Sequence, residues 1–145
     1  MTEKREINIL MVEDTEEHGV LMRRALERGK LKPRLFWITD GQAALDFLHN
    51  LGVYADGETN PEPDLILLDL KLPKLSGLEV LVQIKTEERL RDIPVVVLTA
   101  SDEGKDIIKC YQGGAVSYFT KSALFLNKGA NATAILDTIM AMAGV

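Results

Sequence analysis

The sequence predicts an α/β fold built around a buried parallel sheet, on the basis of two observations. Leu65 to Leu68 form an uninterrupted apolar run, the pattern of a strand that is buried on both faces, and such strands belong to parallel sheets covered by helices. Strand patterns and helix patterns also alternate five times along the chain, as expected for right-handed crossovers between parallel strands. At 145 residues, the chain is expected to form one domain over 1–145.

Five strands are expected, at residues 7–12, 34–39, 65–68, 93–98 and 116–120. In a doubly wound sheet of five such units, the common flavodoxin-like strand order is 2-1-3-4-5, which places the first and third strands side by side. Ligands of these folds bind outside the carboxyl ends of the strands, where the strand order reverses. The residues that directly follow the strands are therefore the first candidates for a functional site.

Apolar residues at helical spacing predict a helix after each of the first four strands. The positions expected to be buried are Val20, Leu21, Ala25 and Leu26 in the first helix, Ala44, Leu45, Leu48 and Leu51 in the second, Leu78, Leu81 and Val82 in the third, and Ile107, Ile108 and Tyr111 in the fourth. Asp14 or Thr15 is expected to cap the first helix through a side-chain oxygen. Ser101 or Asp102 is expected to cap the fourth in the same way.

The remaining segments include the longest loop, expected at residues 52–63, and an irregular stretch at 122–131. A last helix is expected over 132–142, with apolar residues at Ile135, Leu136, Ile139, Met140 and Met142. These positions cover more than one narrow stripe of a helix. Part of that surface is therefore expected to be available to a partner.

Composition excludes several classes of function. The net charge of −5 and the pI near 5.1 leave no basic surface for a nucleic acid. Cys110 is the one cysteine, so neither an internal disulfide nor a cysteine metal cluster can form. The charged start of the chain leads into a short apolar run that fits neither a signal peptide nor a membrane-spanning helix. No membrane association is expected, and the cytoplasm is the expected location.

Residues suited to chemistry follow four of the five strands. They are Glu13 and Asp14 after the first strand, Asp69 after the third, Thr99 after the fourth and Lys121 after the fifth. Because the carboxyl ends of parallel strands meet at one edge of the sheet, these side chains are expected to converge. Asp69 is expected to face solvent at its strand tip, beneath a stiffened loop that contains Pro73 and Gly77. His18 and His49 follow no strand directly and are expected on the surface.

The convergence predicts a metal-assisted phosphoryl acceptor. Three crowded carboxylates repel one another, and a bound divalent cation relieves the repulsion; Mg²⁺ suits their hard oxygen ligands. The Asp69 carboxylate can attack phosphorus to form an acyl phosphate, while the Lys121 ammonium stabilises negative charge in the transition state. A hydroxyl at Thr99 can then hydrogen-bond the phosphoryl group and draw its loop inward, which makes a switch.

With these residues the chain resembles a receiver domain of the two-component response regulators, over residues 7–142. The matching residues are Glu13, Asp14, Asp69, Pro73, Gly77, Thr99, Ala100 and Lys121. The resemblance implies that Asp69 accepts a phosphoryl group from a histidine kinase or a histidine phosphotransfer protein. It also implies that Asp14, Asp69 and the backbone carbonyl of Lys71 ligate Mg²⁺ directly, and that Glu13 does so through water.

The resemblance further implies that Thr99 and Tyr118 are paired switch residues, although the Tyr118 ring can simply pack on the sheet. More narrowly, the long loop at 52–63 and the sequence around Asp69 are similar to the stand-alone response regulators of bacterial phytochromes. That similarity implies a phytochrome kinase as partner and a homodimer formed through the last strand and helices. Ser122 departs from the family, because most receivers carry proline there.

Three functions remain open at this point. The first is a phosphorylation-driven signalling module without an attached output domain, whose output is protein binding. The second is a phosphohydrolase of the haloacid dehalogenase type, which also forms an aspartyl phosphate but needs an acid two residues after the nucleophile, where this chain has Lys71. The third is a receiver-shaped interaction module that is never phosphorylated. Each site residue alone also has an ordinary structural explanation, such as a helix cap for Asp14.

Overall fold

The computed structural model describes residues 7–29, 33–51, 60–125 and 130–142. Its strands are β1 (Asn8–Val12), β2 (Arg34–Ile38), β3 (Leu65–Leu68), β4 (Val95–Thr99) and β5 (Ser117–Thr120). Its helices are α1 (Glu16–Glu27), α2 (Gly41–His49), α3 (Gly77–Thr86), α4 (Gly104–Gln112), α5 (Lys121–Phe125) and α6 (Ala130–Met142). All strand pairs are parallel and the order is β2-β1-β3-β4-β5. The predicted fold and strand order are confirmed.

The sheet separates two hydrophobic layers. Alternate residues of β1, β3 and β4 point to opposite faces, because side chains of a strand have a period of two. One face packs against α2, α3 and α4, and the other against α1 and α6. Every residue of β3 is buried, as the apolar run predicted. The strand therefore lies at the centre of the molecule, and its carboxyl end emerges between the two layers.

Helices α2 and α3 each begin with a side-chain hydrogen bond to a backbone N–H of the first turn, whereas α1 and α4 do not. Asp40 accepts a hydrogen bond from the Ala43 backbone N–H at 2.6 Å, and Ser76 and Glu79 form a reciprocal capping box at the start of α3. Thr15 precedes α1 but makes no side-chain cap bond. The predicted cap of α4 is wrong, because that helix starts after Glu103.

Helix α4 presents a different face to the core from the one predicted, and α1 matches its prediction in part. In α1 the predicted Ala25 and Leu26 are buried together with Met22, whereas Leu21 is exposed. In α4 only Cys110 is fully buried, while Ile108 is 57% and Tyr111 is 50% exposed. One residue of difference rotates a helical face by about 100°. The spacing of apolar residues therefore located these helices but did not decide which face would be covered. Leu51 and Val82, also expected in the core, are exposed.

The end of the chain is more helical than predicted. Helix α5 starts directly at Lys121 and α6 starts at Ala130, within the stretch expected to be irregular. Leu136, Ile139 and Met140 of α6 are buried against the sheet, whereas the side chains of Ile135 and Met142 lie outside the described residues, as do residues 52–59 of the long loop. Within the described part of the chain, no helix is long and apolar enough to span a bilayer.

Candidate functional site

Three acidic side chains meet where β1 and β3 end. Val12 is paired with Leu68 in the sheet, so the residues that follow these strands emerge side by side. Glu13, Asp14 and Asp69 each offer a carboxylate oxygen, and these oxygens lie within 4.8 Å of one another. The convergence predicted for the three acids is confirmed, and we call these three residues the acid trio. Three oxygen ligands at this spacing fit a small, hard divalent cation.

Backbone hydrogen bonds hold the acid trio in place beyond the ends of the strands. The Glu13 N–H donates to the Ile38 carbonyl at 2.9 Å, and the Asp69 N–H donates to the Val12 carbonyl at 3.1 Å. Trp37 adds a contact that the sequence did not suggest, since its indole N–H donates to the Glu13 carbonyl at 2.8 Å. These bonds continue the sheet ladder into the site, so the positions of the acids follow from the register of the strands.

The loop after Asp69 turns back tightly against it. The Gly77 N–H donates to the Leu70 carbonyl at 2.8 Å, and a Cβ atom at Gly77 would lie only 1.9 Å from the Asp69 carbonyl oxygen. A side chain at Gly77 therefore cannot be accommodated without moving the backbone that carries Asp69. The Lys71 N–H points to Asp69 Oδ1 at 3.4 Å, which keeps the Lys71 backbone next to the acid trio.

The Lys121 ammonium lies between two of the acids. Its Nζ is 2.6 Å from Glu13 Oε1 and 2.8 Å from Asp69 Oδ2. Asp69 is only 6% exposed, so the expectation that it faces solvent is wrong. The described peptide bonds are all trans, and the lysine reaches the site with Ser122 in place of proline.

His18 belongs to the site, so the expectation that it lies on the surface is wrong. It is half-buried, and its Nδ1 lies 2.9 Å from Lys121 Nζ. One signal in the sequence pointed to this placement: His18 falls in the first turn of the helix that follows the acids at the end of β1. His49, the other histidine, is likewise half-buried and pairs with Glu87 at 2.7 Å.

The charges of the site are unbalanced. Burial raises the pKa of the Glu13 carboxyl, and the hydrogen bond from Lys121 offsets only part of that effect. Burial by itself would lower the pKa of the Lys121 ammonium, but hydrogen bonds to Asp69 and Glu13 outweigh it, and the pKa is raised. Lys121 is therefore firmly protonated, yet one ammonium faces three acidic groups. The remaining negative charge favours an additional cation.

The predicted switch residues lie at the end of β4 and in β5. Thr99 is fully buried, and its hydroxyl is 3.4 Å from the Ser101 N–H, while Ala100 beside it is exposed. The Tyr118 hydroxyl donates to the Ser101 carbonyl at 2.6 Å, and its ring packs against the core. Burial raises the pKa of the Tyr118 phenol. The loop after β4 is thus tied directly to Tyr118.

Comparison with known proteins identifies the family. Residues 9–127 match the response regulator receiver domain. The chain belongs to this family. Receiver domains are signalling proteins of two-component systems, and the acid trio at the strand ends suits the divalent cation that such domains bind. The predicted family and fold are thereby confirmed.

The relatives of this receiver domain include a phytochrome response regulator. It is 46% identical to the probable methanogenesis regulatory protein FilR2 of Methanothrix harundinacea, over 81% of this chain and 73% of that protein. A solved structure of the Mn²⁺-bound response regulator Rcp1 has a TM-score of 0.80 at 40% identity, covering 89% of this chain and 91% of the other; Rcp1 is a protein of Synechocystis. The phosphorylated cyanobacterial phytochrome response regulator RcpA has a TM-score of 0.81 at 36% identity, covering 93% and 91%. The predicted similarity to phytochrome response regulators is confirmed.

Proposed function

We propose that this receiver domain accepts a phosphoryl group on Asp69 from a histidine kinase or a histidine phosphotransfer protein in the cytoplasm. The observation that supports it best is the pairing of Lys121 Nζ with Asp69 Oδ2 at 2.8 Å inside a cluster of three acids. The carboxylate is the nucleophile of the proposed transfer, and the fixed ammonium stabilises negative charge in its transition state. Within 1–145 we propose one receiver domain, which signals by phosphorylation-dependent contact with another protein.

Mg²⁺ is the proposed cofactor. Asp14 and Asp69 would hold it together with the backbone carbonyl of Lys71, and Glu13 would act through a water molecule. The spacing of the carboxylate oxygens, within 4.8 Å, supports this ligand set, since Mg²⁺ takes oxygen ligands and retains several waters. When bound, the metal supplies positive charge that offsets the charge on the transferred group.

The side chains of the site have complementary tasks in the proposed reaction. An Asp69 carboxylate oxygen forms a bond to phosphorus while the bond from phosphorus to the donor histidine nitrogen breaks. The electron pair of the broken bond stays on the imidazole, which takes up a proton. The transition state spreads negative charge over the phosphoryl oxygens, and the Lys121 ammonium stabilises it from one side.

We further propose that Thr99 and Tyr118 convert the phosphorylated state into a change of surface. The Thr99 hydroxyl and the Ala100 N–H would hydrogen-bond the phosphoryl oxygens, which requires the loop after β4 to move toward Asp69. Tyr118 is already bonded to that loop through the Ser101 carbonyl, so a movement of the loop must reposition the phenol. This coupling links a local charge to the face formed by α4 and β5.

We also propose two specific partners, a kinase of the phytochrome class and a second copy of this chain. Similarity to the phytochrome response regulator RcpA supports a kinase of the phytochrome class as phosphodonor. A homodimer through the last strand and helices is proposed from the apolar character of α6. No nucleic acid or membrane partner is proposed, since the net charge is −5.

The decisive experiment is incubation with acetyl phosphate and Mg²⁺, followed by intact-mass analysis. We expect a labile mass gain of one phosphoryl group that persists long enough to be stoichiometric. Rapid turnover of acetyl phosphate without a persistent adduct would favour the haloacid dehalogenase type of hydrolysis, and no adduct at all would favour the unphosphorylated interaction module. The adduct should be absent in Asp69→Asn. Asp92→Asn, which alters an exposed acid outside the trio, should be labelled like the wild type.

A further inference from the structure

The donor and the acceptor can be assigned in the hydrogen bond between Lys121 and His18. His18 lies in the first turn of α1, and its Nδ1 is 2.9 Å from Lys121 Nζ. An ammonium has three N–H donors and no acceptor. The His18 Nδ1 must therefore accept this hydrogen bond, which requires an imidazole with no proton on Nδ1.

With this contact, Lys121 has one acceptor for each of its three donors. Two acceptors are carboxylate oxygens, at 2.6 Å on Glu13 and 2.8 Å on Asp69, and the third is the His18 nitrogen. The carboxylates belong to the acid trio, which a divalent cation would share. His18 lies outside the acid trio. If the carboxylates ligate a cation, the His18 contact is the one of the three that does not involve a carboxylate of the acid trio.

We propose that His18 is a positioning residue that holds the Lys121 ammonium over Asp69 while the carboxylates engage a divalent cation. The inference rests on the proposed function, because it is the proposed phosphoryl transfer that needs the ammonium in this place. His18 contacts Lys121 and acts through it. A neutral acceptor suits this task, since it orients the ammonium without reducing the positive charge offered to the phosphoryl oxygens.

Three variants separate this role from a merely structural one. His18→Leu removes the acceptor and keeps a good helix former. His18→Asn keeps an acceptor, because its amide oxygen is attached to Cγ as Nδ1 is in histidine, and it should rescue the function. His49→Leu is the matched control, since it makes the same exchange at the other histidine, which pairs with Glu87 away from the site.

The first measurement needs no phosphodonor. A buried ammonium with three acceptors exchanges its protons slowly, so Lys121 should give its own ¹H–¹⁵N signal, assigned by its absence in Lys121→Met. In saturating MgCl₂ we expect this signal in the wild type, His49→Leu and His18→Asn, and its loss in His18→Leu. A signal of wild-type sharpness in His18→Leu would overturn the proposal.

The second measurement is the rate of phosphorylation by acetyl phosphate at saturating MgCl₂. We expect the maximal rate of His18→Leu to fall roughly tenfold, the effect of losing one charge-assisted hydrogen bond. The half-saturating concentration of acetyl phosphate should not change, because His18 does not touch the donor, and His18→Asn should recover most of the rate. An unchanged maximal rate in His18→Leu would refute the positioning role. A wild type that is never phosphorylated would refute the proposed function instead, and the ammonium signal would still decide the placement of Lys121.

Discussion

Lys121 compensates buried negative charge at the candidate site. Its ammonium is hydrogen-bonded to Glu13 and Asp69, which are 3% and 6% exposed. Removing one partner of a buried ion pair is costly because the other charge stays buried without compensation. The same ammonium also covers Asp69, so one side chain contributes both to stability and to the proposed chemistry.

We expect Lys121→Met to lower the free energy of unfolding by about 3–5 kcal/mol in the presence of EDTA. Mg²⁺ should restore part of the loss, because a ligand that binds only the folded state stabilises it and here replaces the missing positive charge. Urea unfolding followed by circular dichroism, with EDTA and with Mg²⁺, measures both effects.

Lys105→Met is the matched control for this prediction. Lys105 pairs with Glu103 at 3.3 Å, but both side chains are more than half exposed. Exposed pairs contribute about 0–1 kcal/mol, so this variant should stay close to the wild type. Equal losses of stability in the two lysine variants would contradict the role assigned to Lys121.

At the scale of elements, the start of α3 is packed directly against the backbone of Asp69. A Cβ atom at Gly77 would approach the Asp69 carbonyl oxygen to 1.9 Å, so strand and helix meet with no space for a side chain. At the start of α4, by contrast, a Cβ at Gly104 would meet nothing within 4 Å. The two glycines therefore occupy equivalent positions in their helices but face opposite steric conditions.

We expect Gly77→Ala to destabilise the protein by about 1–3 kcal/mol, the usual effect of overpacking, and to slow phosphorylation by displacing Asp69. Gly104→Ala should be neutral or stabilising by up to about 1 kcal/mol, since alanine is the better helix former. Urea unfolding and the acetyl phosphate assay check both variants. The prediction fails if Gly77→Ala is as stable and as readily phosphorylated as Gly104→Ala.

At the scale of the whole molecule, stability should depend on pH through Glu13. Burial raises the pKa of this carboxyl above its ordinary value of 4.5, so the folded state binds the proton more tightly than the unfolded state. By linkage, the contribution of Glu13 to the unfolding free energy is greatest below pH 4.5 and declines as pH rises through the folded-state pKa.

We therefore expect Glu13→Gln, which does not titrate, to gain stability relative to the wild type as the pH rises through that window. Urea unfolding in EDTA from about pH 4 to about pH 8 measures the difference. Glu88→Gln is the control at an exposed position, and its unfolding free energy should change with pH as that of the wild type does. The prediction is contradicted if the difference in unfolding free energy between Glu13→Gln and the wild type stays constant or shrinks as the pH rises.

Much of the fold could be predicted from local pattern. The apolar run of β3 and the alternation of strands and helices depend on short stretches of sequence, and the strand order follows from general rules of parallel sheets. The same rules predicted that Glu13, Asp14 and Asp69 lie close together, because a residue that follows a parallel strand emerges at a known edge of the sheet. The buried face of α4 could not be predicted in this way, and that of α1 only in part, since several apolar residues compete for the core and packing decides among them.

The sequence by itself determined the class of fold, the edge of the sheet that carries the site and the chemical types of its residues, because these depend on periodicity and strand order. Only the tertiary structure decided that Lys121 covers Asp69 and that His18 meets Lys121 across 103 positions of sequence. Contacts of that kind depend on how helices rotate and how far side chains extend once the layers have packed. Neither quantity is encoded in a local pattern.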